Sequence, residues 1–95
     1  MAPIRRLVLD VLKPHDPPVT EVAKHLAGLD GVEGTNVTLV EIDQKVTNLK
    51  VTIEGAAIEY DAVTEVVEAQ GASIHSVDEV ACGDSLVEAG TTPQD

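Results

Sequence analysis

"TNVTLVEIDQKVTNLKVTIEG", residues 35–55, alternates apolar and polar side chains along two runs with a short polar break between them. A strand turns successive side chains to opposite faces. Residues 35–43 read as one strand. Residues 45–55 read as a second, with Leu49, Val51 and Ile53 set against Asn48, Lys50, Thr52 and Glu54. The link around Asp43 to Lys45 is too short for anything but a hairpin.

The flanks repeat one plan on either side of this hairpin. "IRRLVLDVLK", 4–13, is a strand with Leu7, Leu9 and Val11 on one face and Arg6, Val8, Asp10 and Leu12 on the other. "PHDPP" ends it. Asp16 is placed to N-cap a helix with Pro17 at its first position. Val19, Val22, Ala23, Leu26 and Leu29 then follow helical spacing. After the hairpin, a helix from Ile58 to Gln70 carries a stripe of Tyr60, Val63, Val66 and Val67, and Gly71 suits its C′ position. "IHSVDEVACG", 74–83, is the last strand.

The order βαββαβ is that of the ferredoxin-like, or split βαβ, sandwich, an α+β fold. Two right-handed crossovers give a four-stranded antiparallel sheet with both helices on one face. Residues 1–88 form this single domain, and residues 89–95 are expected to be a disordered polar tail. The uncovered face should carry apolar residues, Val8 and Leu12 among them, and so invite a partner.

Composition narrows the function. Phe and Trp are absent and Tyr60 is the one aromatic among 95 residues. A short chain with a core of small aliphatics gains from self-association. Seventeen acids against six Lys and Arg leave a net charge of −11. That disfavours nucleic acid and anionic membrane surfaces. It suits cations, and it suits a halophilic, salt-rich cytoplasm where repulsion is screened. Cys82 is the single cysteine, so no internal disulfide forms. "MAPIRRLVLDVLK" lacks the features of a signal peptide, and no run nears the roughly 20 apolar residues of a membrane span. The expected location is cytoplasmic.

Enzymatic chemistry finds little to use. His75 and Ser76 are adjacent on a strand and point to opposite faces. No nucleophile elbow is present. A soft-metal carrier needs two thiolates, and the chain has one. "GLDGVEG", 28–34, lies between a helix end and a strand, the reverse of a phosphate loop. RNA-binding sheets of this topology use exposed aromatics, which are lacking. Hard cations remain. No EF-hand loop exists, so a Ca²⁺ site would be assembled from strands. Asp10, Glu41, Asp43, Asp78 and Glu79 are the candidate ligands, with Asp10 expected beside Asp78. Ordinary solvated acids are the plainer explanation for any one of them.

"RRLVLDVLKPH", "LDGVEGTNVT", "VEIDQKVTNLKVTIEG" and "SIHSVDEVACG" together resemble the archaeal family called domain of unknown function 211, over about residues 3–88. The resemblance implies a ferredoxin-like fold, ring-forming oligomers, bound calcium and calcium-triggered polymers. No enzymatic activity comes with it. The expected function is therefore a non-enzymatic protein that assembles with itself into rings, polymers or filaments in response to calcium. The alternative is an oligomeric small-molecule-binding regulatory module, with "GLDGVEG" as the ligand turn.

Overall fold

The computed structural model describes residues 2–89. Its elements are β1 (Ile4–Pro14), α1 (Val19–Ala27), β2 (Val32–Ile42), β3 (Val46–Ile58), α2 (Tyr60–Ala69) and β4 (Ser73–Cys82). The sheet runs β2-β3-β1-β4 with every neighbouring pair antiparallel. This is the expected ferredoxin-like βαββαβ arrangement. Residues 90–95, most of the expected polar tail, lie outside the described residues.

The core follows from the alternation. Leu7, Leu9 and Val11 of β1 lie opposite Ile53, Val51 and Leu49 of β3, and all six are buried. Val22 and Leu26 of α1 and Val63 and Val67 of α2 close over the same cluster, so both helices share one face. Gly71, at φ +77°, ends α2 as expected. Its N–H donates to the Glu68 carbonyl, and the next N–H donates to that of Val67. That pairing satisfies carbonyls the helix end would otherwise leave open.

Three local expectations need correction. Helix α1 begins at Val19 behind Pro18, and no side chain caps it, so Asp16 is not the N-cap. The reason lies in the two prolines: a residue before proline is pushed out of helical conformation, so Pro17, which precedes Pro18, cannot take the first helical position. Strand β3 runs on to Ile58, which pairs with Ile4 and is buried, so α2 starts two residues late. The uncovered face is more polar than expected, although Val8 and Leu12 do lie on it. It shows Arg6, Asp10, Asn48, Lys50, Thr52 and Glu54, while Val8 is buried and Leu12 half-buried. Five large exposed apolar residues instead line the two edge strands, Leu39, Val40 and Ile42 on β2 and Val77 and Val80 on β4, while Tyr60, Leu86 and Val87 are exposed elsewhere.

Candidate functional site

The open face of the sheet holds the acids singled out above, and two irregularities in strand pairing decide where they stand. Asp10 on β1 lies opposite Ser76, not Asp78. The register of β4 slips between Val8 and Leu9, leaving Asp78 as an extra residue. Such a bulge re-aims the side chain it carries. Asp78 still reaches the groove of about 230 Å³ that Asp10, Val40, Asn48 and Lys50 line, and Ser76 Oγ donates to its Oδ1 at 2.7 Å. A second slip, between Leu39 and Glu41 on β2, turns Glu41 to the same face. There Glu41 and Asp43 share a groove of about 210 Å³ with Asp10, Asn48 and His75.

The five acids are therefore on one face, but not in one cluster. Among the described residues, no three His, Cys, Asp or Glu side chains converge closely enough to hold a metal ion. Asp10 accepts a hydrogen bond from Asn48 Nδ2 and lies opposite Lys50. Asp43 Oδ1 accepts from the N–H of Val46 and of Lys45, both at 2.8 Å, and so caps the hairpin turn. Glu79 is paired with Arg6 at 3.1 Å. Of the five, Glu79 alone is in a salt bridge among the described residues, and Glu41 and Asp78 also lack the amide contacts that hold Asp10 and Asp43.

The hairpin cap sets a pH dependence. The Val46 N–H, then the Lys45 N–H, hold the Asp43 carboxyl below its ordinary range, with a smaller contribution from His15. A group whose folded pKa is depressed contributes stability that is present above its unfolded pKa and lost as pH falls through the folded one. The Asp43 cap should hold at neutral pH and open only in acid. Following the Lys45 and Val46 amide shifts by NMR should show both moving together, below the range of the other exposed carboxylates. His15 Nε2 also meets the Asp43 carbonyl at 2.9 Å, tying the hairpin tip to the β1–α1 loop.

Two sites escaped the sequence. Arg6 gathers Glu54 at 2.8 Å, Glu79 at 3.1 Å and both oxygens of Glu88 at 2.8 and 2.9 Å. Alternation hinted at the first pair, since Arg6 and Glu54 are direct cross-strand partners. Nothing announced Glu88, which lies beyond the last strand. The other is Lys13, whose Nζ is buried and donates to the carbonyls of Pro14 at 2.6 Å, His15 at 3.3 Å and Pro17.

Of the turn considered as a ligand loop, Gly31 serves packing, while Glu33 and Gly34 line an open groove of about 360 Å³. A Cβ on Gly31 would stand 2.0 Å from the Ala57 carbonyl oxygen, and one on Gly55 would stand 2.0 Å from that of Gly31. These glycines let two backbones touch. No helix among the described residues is long and apolar enough to cross a membrane.

Comparison with known proteins agrees with the resemblance and lengthens it. The DUF211 family model, described as "uncharacterized ArCR", matches residues 5–95, past the Glu88 limit expected above. An uncharacterized protein of Methanocaldococcus jannaschii is 48% identical over 92 residues, covering 97% of this chain and 95% of that one.

Proposed function

The chain belongs to the DUF211 family, and from that premise we propose that it is a non-enzymatic protein that assembles with itself through its sheet edges, with calcium bound at the junction. The observation that carries this is the pair of free edges. β2 and β4 end the sheet, span 11 and 10 residues, and carry the exposed Leu39, Val40, Ile42, Val77 and Val80. A long edge with exposed apolar side chains is a template for another strand.

Strand direction permits a head-to-tail contact. β2 and β4 run opposite ways within the sheet. The β4 of a second copy laid against β2 therefore continues the antiparallel pattern. A contact between two different surfaces produces a ring if the rotation closes and a filament if it does not. Such a junction sets Glu41 of one copy on the same sheet face as Asp78 of the next. Ca²⁺ takes roughly six to eight oxygen ligands, and a second chain supplies donors that one chain lacks. A cation that binds the assembled state better than the free chain drives assembly by mass action.

Among the described residues no serine, threonine or cysteine hydroxyl or thiol meets a histidine. Ser76 is turned to Asp78 instead.

The test is sedimentation velocity at high salt across a Ca²⁺ series, with Mg²⁺ and EDTA arms. Wild type should form large species with Ca²⁺ and fewer with Mg²⁺, which demands tighter geometry. Asp78→Asn should raise the Ca²⁺ midpoint by about tenfold, or ~1.4 kcal/mol per site. Leu39→Lys, a charge placed on an exposed edge position, should stay monomeric. Equal size distributions with Ca²⁺ and EDTA would remove calcium from the reading. A Leu39→Lys chain that assembles like wild type would remove the edge.

A further inference from the structure

Two apolar residues are buried on the side of the sheet that no helix covers. Val8 and Ala81 are 8% and 7% exposed, and neither belongs to the helix-side core. Val8 lies two residues from Arg6 on β1, and Ala81 lies directly opposite Arg6 on β4. All three share the open face.

The chain after β4 turns back toward this strip. Gly83, at φ +113°, reverses direction, and its N–H donates to the Pro3 carbonyl at 2.8 Å. Arg5 donates to the carbonyls of Gly83 and Asp84 at 3.4 and 2.9 Å, which fixes the start of the segment. Its far end is held by Glu88, which takes the Arg6 guanidinium with both oxygens. Between these points Leu86 is 36% exposed and Val87 71%, so Leu86 is the less exposed of the two.

We propose that residues 84–88 are a strap, this chain's own cover for the Val8–Ala81 strip, closed by the clasp between Arg6 and Glu88. The clasp is the point at which it opens. Glu54 and Glu79 already flank the same guanidinium, so Glu88 is the third carboxylate on one positive charge. The two resident acids repel the incoming one. The Glu88 side chain is also 68% exposed, and salt screens a pair in that position. Closed, the strap hides apolar surface beside the β4 edge. Open, it offers that surface together with Arg6. This inference is independent of assembly, because the strap closes within one chain.

NMR of the full chain tests it. At low salt the amides of residues 85–88 should be as ordered on the picosecond–nanosecond scale as those of β4. The Val8 and Ala81 methyls should be as shielded from a soluble paramagnetic agent as the Leu9 methyls. Glu88→Gln keeps the shape and removes the charge. It should loosen the 85–88 amides and raise broadening of the Val8 and Ala81 methyls toward that of Val87, leaving Leu9 unchanged. Glu65→Gln on the exposed side of α2 should match wild type. Raising salt should move wild type toward the Glu88→Gln pattern. Mobile amides at 85–88 in wild type would overturn the strap. Unchanged shielding of Val8 and Ala81 in Glu88→Gln would overturn the clasp.

Discussion

Replacing Gly55 by alanine is expected to cost at least about 3 kcal/mol, enough to unfold much of a marginally stable small domain. Every atom the new methyl would meet is backbone: the Gly31 oxygen at 2.0 Å, Val32 Cα at 2.8 Å and the Gly31 carbonyl carbon at 2.9 Å. A side chain could swing away, whereas a paired backbone cannot. Val32 lies opposite Gly55 in the sheet, so relief requires β2 to lift off β3. That would release one edge of the sheet and the end of α1 together. Gly34→Ala is the control. Nothing lies within 4 Å of its added methyl, and its effect should stay within about 0.5 kcal/mol. Urea unfolding of both variants and wild type decides it. Equal midpoints for Gly55→Ala and wild type would show that the two backbones are not in contact.

Lys13→Met should cost about 3 kcal/mol, although methionine fits the space of the lysine stem. Lys13 is 1% exposed, and its Nζ is the shared donor for three carbonyls in the β1–α1 loop. A buried ammonium is tolerated only when its protons are satisfied. Removing the donor leaves those carbonyls facing an apolar thioether. Pro14 and Pro17 have no N–H, so this loop has few donors of its own. Losing Lys13 should also free His15, and with it the contact to the Asp43 carbonyl at the hairpin tip. Chemical denaturation gives the energy, and the Lys45 and Val46 amide shifts report the tip. Lys24→Met, at an exposed position of α1, should change stability by no more than about 0.5 kcal/mol. A Lys13→Met chain as stable as wild type would mean that water replaces the ammonium at these carbonyls.

The order of elements and the inner face of the sheet were legible in the chain. Leu49, Val51 and Ile53 alternate with polar neighbours, Leu7, Leu9 and Val11 share a face by the same period of two, and helices cover that side. Gly71 marked a helix end because only a residue free of Cβ takes φ +77° without strain. The start of α1 was legible too, had the rule for residues before proline been set above the appeal of an Asp–Pro cap.

The candidate site was legible only as an inventory of acids. Strict alternation assumes that each strand keeps its register, and here β4 slips at Asp78 and β2 slips before Glu41. A slip of one residue exchanges faces, so the sequence could name the acids without setting their face or their neighbours. Lys13 and Glu88 show the same limit. A lysine in a strand and a glutamate after the last strand carry no periodic signal. The sequence by itself determined which residues make the core and in what order the strands follow, because burial is written in a local period. Tertiary structure alone decided that Lys13 is buried, that Arg6 binds three carboxylates, and that five of the large exposed apolar residues lie on the edge strands. Each of those depends on which distant segment comes to rest beside it.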